Sequence, residues 1–166
     1  MEKAPRVSIK RGRSAVLTWK GQHVSCRASE FDLKEIVEDR AIMSRLKLDP
    51  KRQLIGSQCA GAWFLVKLGL LATQPVCTRL KSRAGLEAMG IRVLDRPFVA
   101  SGNVASAGGC LASPYLAAWV ISRLLGREAA ENALRIVAPV GEKTQYVASI
   151  LGVVSPFATA DAEPVA

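Results

Sequence analysis

Apolar residues recur along this chain at two spacings, and the switches between them lay out strands and helices. Gln53-Leu54-Ile55 is a short apolar run closed by Gly56, which predicts a buried strand. Residues 62–68 are almost uninterruptedly apolar, and Gly69 suits the end of a helix. Phe31, Leu33, Ile36, Val37, Ile42, Met43 and Leu46 approximate one helical face. The spacing predicts a helix over 30–48, capped by Ser29 with Asp32 in an imperfect capping box and ended by Asp49-Pro50. Residues 75–78 and 91–94 read as short strands on either side of a helix over 81–89, with Gly90 beyond its end. Residues 98–100 and 104–106 flank Ser101-Gly102-Asn103 as a hairpin. Ser113-Pro114 opens a helix over 115–125 with Ser113 as its N-cap, and Gly126 stops it. Further helices are expected over 127–137 and 142–151. Upstream, weaker strand signals at 7–9 and 15–19, with turn points at Gly12 and Gly21, outline a hairpin.

A length of 166 residues fits one domain, and the 49% of hydrophobic residues suffices for a real core. The expected domain spans residues 1–155, with a basic, atypical segment over 1–29; residues 156–166, rich in Ala, Asp, Glu and Pro, read as a disordered tail. The net charge of +9 is uneven: Lys3, Arg6, Lys10, Arg11, Arg13, Lys20 and Arg27 face Glu2 alone in the first 27 residues. Such an arm can bind nucleic acid, but without aromatics beyond Trp19 it lacks stacking platforms, and a solvated end is the plainer reading. Cys26, Cys59, Cys77 and Cys110 show no Cys-x-x-Cys spacing and His23 is the one imidazole, so no metal site and no cofactor are expected. No apolar run reaches the length of a membrane span, because Lys67 interrupts the longest, and the N-terminus lacks the apolar stretch of a secretory signal. The expectation is a cytoplasmic protein with free thiols.

Cys59 is where the chemistry concentrates. It stands where the predicted strand turns sharply into the apolar helix, a geometry that lifts a side chain out of a sheet. Unpaired N–H groups at the helix start favour an anion there, which would bias the thiol toward thiolate. Ala60 and Gly61 let substrate or backbone approach closely. The competing reading is a structural cysteine, since free cysteines are often buried.

Three segments also carry a resemblance. The stretch GSQCAGAWFLVKLGLL resembles the nucleophile-elbow segment of the ThiJ/PfpI superfamily, within the class I glutamine amidotransferase-like fold. FVASGNVASAGG resembles that family's strand–turn–strand, and YLAAWVISRLLGREAA the helix that follows it. The three agree in order and spacing and cover about residues 51–136. The resemblance implies an α/β, flavodoxin-like three-layer sandwich with a mostly parallel sheet, β strand and cysteine elbow at its centre. It implies Cys59 as the reactive position, backbone around Ala60, Gly61, Gly108 and Gly109 as oxyanion or pocket wall, and Arg79 and Ser106 as pocket side chains. It also implies a homodimer and a small electrophilic substrate.

The chain departs from the family in two places. The opening strand–helix–strand, which brings an acid beside the cysteine, has no room before Cys59, so a shortened or divergent opening is expected. Where many relatives carry a histidine, twenty residues after the nucleophile, this chain has Arg79, which supplies fixed charge but takes no proton. Glu30, Glu35, Glu38 and Asp39 are the sequence-local candidates for the acid, with a solvated helix face the plainer reading of each; His23 is the one imidazole, in no motif that argues for the role, and Cys77 is a conceivable redox partner of Cys59. Enzyme and non-enzyme readings therefore both stand. One is weak hydratase-, hydrolase- or deglycase-like chemistry by thiolate attack; the other is a sensor, binding or transcription-regulatory partner domain, and a degenerate remnant stable only in an oligomer is a third.

Overall fold

The computed structural model describes residues 16–19, 23–28, 37–44, 46–71 and 73–159, the first two stretches by their backbone. The expected strand at 7–9, the Ser29 cap and residues 160–166 lie outside the described residues. Among the described residues five strands form one sheet: β1 (Val16–Trp19), β2 (His23–Ala28), β3 (Leu54–Cys59), β4 (Phe98–Ser101) and β5 (Val104–Ala107). Their order is β1-β2-β3-β5-β4, so β3 is the middle strand. It pairs in parallel with β2 and β5, while β1–β2 and β4–β5 are antiparallel. The sheet is thus mixed, which corrects the expectation of a mostly parallel one. Both outer strands belong to hairpins, and a short turn can only join antiparallel neighbours.

The helices are α1 (Arg40–Met43), α2 (Ala62–Lys67), α3 (Leu80–Glu87), α4 (Ser113–Leu125), α5 (Arg127–Val137) and α6 (Lys143–Val154). Leu54 and Ile55 are neighbours in β3 yet feed different buried clusters, because successive strand side chains leave the sheet on opposite faces. Ile55 packs with Phe64 and Leu65 of α2, Leu86 of α3 and Val37. Leu54 belongs with Leu116 and Trp119 of α4, Leu134 of α5, and Ile150 and Val154 of α6. Gly56 permits the close approach of α4: a Cβ there would stand 2.7 Å from a Leu116 methyl.

Several boundaries differ from the sequence expectation, each for a local reason. Of the helix expected over 30–48, residues 30–36 lie outside the described residues; at Asp39 the carboxylate accepts the N–H groups of Ala41 and Ile42 and so caps a separate turn, α1. Ser113 is already helical and makes no capping bond; Ala112 precedes the helix, after a 3₁₀ turn over Cys110–Ala112. The expected strands at 75–78 and 91–94 reduce to one parallel bridge between Val76 and Val93. α6 runs past residue 151 because Val147, Ile150, Leu151 and Val154 continue one buried stripe. Pro156 and Phe157 are not tail: Ser155–Phe157 is a 3₁₀ turn that buries Phe157. The strand over 23–28 was not expected, although Val24, Cys26 and Ala28 alternate with polar residues.

Candidate functional site

β3 ends at Cys59, whose φ of +58° is the one positive value at a non-glycine position among the described residues. Ala60 and Gly61 then lead directly into α2. A left-handed conformation at a residue with a Cβ costs on the order of 1–3 kcal/mol, so the surroundings must hold it in place. Two bonds do so. The Thr78 hydroxyl donates to the Cys59 carbonyl at 2.7 Å, and the Gly61 N–H donates to the Gln58 carbonyl at 2.8 Å. The Gly61 N–H is therefore spent within the turn and is not an oxyanion donor, which corrects that expectation. The Ala60 N–H faces the Cys59 sulfur instead.

Burial pushes the Cys59 thiol above its usual range, and contact with Cys110 pushes it further; the Ala60 N–H and the Arg79 charge pull the other way without winning. The expected bias toward thiolate is thus reversed. The helix dipole invoked for it belongs to a helix of only six residues. Desolvation of the half-buried sulfur is the larger effect.

Cys110 was missed by the sequence reading, which named only Cys77 as a conceivable partner of Cys59. The Sγ atoms of Cys59 and Cys110 stand 3.7 Å apart. Gln58 brings them together: its buried amide Nε2 donates to the Cys110 carbonyl at 2.6 Å and to the Gly109 carbonyl at 3.3 Å. Gly108 lets the same loop press against the 77–79 segment, since a Cβ there would lie 3.0 Å from the Arg96 carbonyl and 3.2 Å from that of Thr78. Gly109, at φ +93°, then turns the chain toward Cys110. The signal was available in the expectation that Gly108 and Gly109 border the cysteine turn, since Cys110 follows them directly.

The remaining predicted residues divide. Arg79 is close enough to act on the Cys59 thiol through its charge, and its Nε donates to Ser82 Oγ at 3.2 Å. Ser106 is buried, and its hydroxyl accepts the Cys77 N–H at 2.8 Å. Cys77 is fully buried in the core. His23 lies opposite Leu54 while Ala28 lies opposite Cys59. At ~3.3 Å per residue the His23 backbone lies about 16 Å along the sheet from that of Cys59. Glu38 and Asp39 are exposed, and the Asp39 carboxylate is occupied as a cap. Among the described residues no carboxylate stands within hydrogen-bond reach of the Cys59 sulfur.

Burial raises the Cys77 thiol from 9.0 to about 12. A group whose folded value lies above its unfolded one resists ionisation in the fold, so its stabilising effect is complete below pH 9 and is lost as pH rises toward 12. We expect stability to fall with pH above 9 more steeply than in Cys77→Ala, by up to about 1.4 kcal/mol per pH unit. Urea unfolding of both proteins from pH 8 to pH 10.5 measures the difference; equal slopes would refute it.

A cavity of about 290 Å³ lies elsewhere, between Leu111, Pro114 and Tyr115 on one side and Glu142, Gln145, Tyr146, Ser149 and Ile150 on the other. Among the described residues no three His, Cys, Asp or Glu side chains cluster as metal ligands, and no helix is long and apolar enough to cross a membrane.

Solved structures are similar to this chain in fold. A ThiJ/PfpI family protein from Pseudomonas syringae is similar over 82% of this chain and 63% of its own, with 17% identity and a TM-score of 0.60. The likeness shows a shared α/β fold. An AraC family transcriptional regulator from Pseudomonas putida is similar over 70% of this chain and 63% of its own, with 22% identity and a TM-score of 0.51. DJ-1 from Schizosaccharomyces pombe is similar over 77% of this chain and 61% of its own, with 18% identity and a TM-score of 0.47. The chain therefore spans less than two thirds of the length of these proteins. No protein-family model matches it, and no curated protein matches it in sequence.

Proposed function

We propose that this is a ThiJ/PfpI superfamily domain of flavodoxin-like three-layer build, in which Cys59 is a nucleophile elbow that captures small soft electrophiles covalently, with little turnover. The observation that carries the reading is the left-handed backbone at Cys59, at the junction of the middle strand and α2. Backbone strain persists where the structure holds it, and such positions concentrate at functional sites. Capture needs a sulfur that can ionise when an electrophile arrives, and the Ala60 N–H and Arg79 favour the ionised form at the moment of attack. Sustained turnover needs a group that returns a proton to the product or activates water. No carboxylate at the sulfur among the described residues supplies that step, and Arg79 replaces the imidazole.

The test incubates the full chain and Cys59→Ser with methylglyoxal or an isonitrile, following both adducts and product. One adduct per chain at Cys59, absent in Cys59→Ser, with product not exceeding the protein, is the expected result. Robust turnover abolished by Cys59→Ser would make this an enzyme; absence of any Cys59 adduct would leave the cysteine structural.

The second reading is a ligand-binding or regulatory partner domain, supported by the fold likeness to the AraC family regulator. It predicts binding to a partner chain that Cys59→Ser leaves intact. In both readings we place the protein in a reducing cytoplasm as a homodimer, in which Ile136, Val137 and Val140, all exposed, are candidates for the covered surface.

A further inference from the structure

We propose that Cys59 and Cys110 form a reversible disulfide, a modification site that shuts the cysteine turn under hydroperoxide stress. Two independent features place the thiols together. Their sulfurs are already 3.7 Å apart. The buried Gln58 amide, next in sequence to Cys59, holds the backbone carbonyl of Cys110 at 2.6 Å. The pair is therefore built into the packing, from the middle strand to the loop after β5, rather than meeting by side-chain motion. A disulfide needs the sulfurs at about 2.0 Å, a closure of about 1.7 Å that falls on the exposed Cys110 side chain. Cys77 is sealed in the core.

The oxidant is a hydroperoxide. The Cys110 thiolate, the more exposed of the two, attacks the outer peroxide oxygen; the O–O bond breaks and the departing alkoxide takes a proton to leave as the alcohol. Cys110 is then a sulfenic acid. The Cys59 sulfur attacks it, the S–O bond breaks, and the hydroxide leaves as water with the proton from the Cys59 thiol. Two thiols lose two electrons to one hydroperoxide, giving one disulfide, one alcohol and one water. Burial disfavours the Cys59 thiolate, so the exposed Cys110 is the one that meets the oxidant first. The bond itself needs only the geometry; that it switches off electrophile capture rests on the reading of Cys59 above.

The experiment treats the reduced full chain with hydrogen peroxide or cumene hydroperoxide, digests it without reductant, and maps linked peptides by mass spectrometry. A Cys59–Cys110 linkage should dominate, vanish in Cys110→Ser, persist in Cys77→Ala, and revert with dithiothreitol. Iodoacetamide labelling of Cys59 should drop at least about tenfold on oxidation and recover on reduction. Linkage to Cys26 or Cys77, or Cys59 accumulating as sulfinic acid without linkage, would overturn the proposal. Circular dichroism of Cys110→Ser separates lost linkage from lost fold. A linkage without an electrophile adduct in the reduced protein sinks only the capture reading, and an adduct without linkage sinks only this one.

Discussion

Trp119→Ala should destabilise the protein by about 3–5 kcal/mol, the range for a large aromatic removed from a packed core. Trp119 is fully buried in α4, its ring 6.1 Å from that of Phe98, which in turn meets Phe157 edge-on at 5.7 Å. Its indole N–H donates to the Phe157 carbonyl at 3.0 Å, so one side chain ties α4 to the turn after α6. Its outer face carries the Arg123 guanidinium at 5.8 Å, and Arg123 reaches on to the Gly102 carbonyl and Asn103 Oδ1 in the β4–β5 turn. Alanine removes the packing, the bond to Phe157 and the platform for Arg123 together. Trp119→Phe keeps much of the area but no donor, so it should fall between, with about 1–3 kcal/mol for the unpaired carbonyl. Urea midpoints at constant m-value measure both; an alanine variant within 1 kcal/mol of wild type, roughly the median single-mutant effect, would show that this aromatic cluster does not hold the helical face.

Gln58→Glu should be worse for the site than Gln58→Ala, and both should be worse than wild type. The Gln58 amide gives its protons to two carbonyls, those of Gly109 and Cys110, from a buried position. Alanine leaves both acceptors without this partner, at about 1–3 kcal/mol for a buried unmet group. An ionised glutamate is acceptor-only, so it faces both carbonyls with negative charge and drives the loop away. Peroxide-dependent Cys59–Cys110 linkage should therefore drop in Gln58→Ala and nearly disappear in Gln58→Glu. Thermal unfolding of the reduced proteins and the linkage assay read the two effects separately. A Gln58→Glu variant as stable and as readily linked as wild type would mean that Gln58 does not position the loop.

Much of the second half of the chain was legible in local pattern. The hairpin at Gly102-Asn103, the helix stops at Gly69, Gly90 and Gly126, and the helix over 127–137 all rest on residues that dictate their own backbone. Each of those glycines adopts the positive φ that a stop or tight turn requires. The turn at Cys59 was legible for the same reason: an apolar strand and an apolar helix separated by small residues leave little other path. Register and through-space chemistry were not. The pairing of β2 with β3 is a long-range contact with no local signature, and it alone separates His23 from Cys59. Whether 75–78 and 91–94 became strands depended on neighbours that give them a single bridge. The charge state of Cys59 turned on burial, which no spacing reveals, and its partner was Cys110 rather than Cys77 because a buried glutamine holds one loop carbonyl. Periodicity records which way each side chain faces within its own element; only the packing of elements decides which two side chains meet.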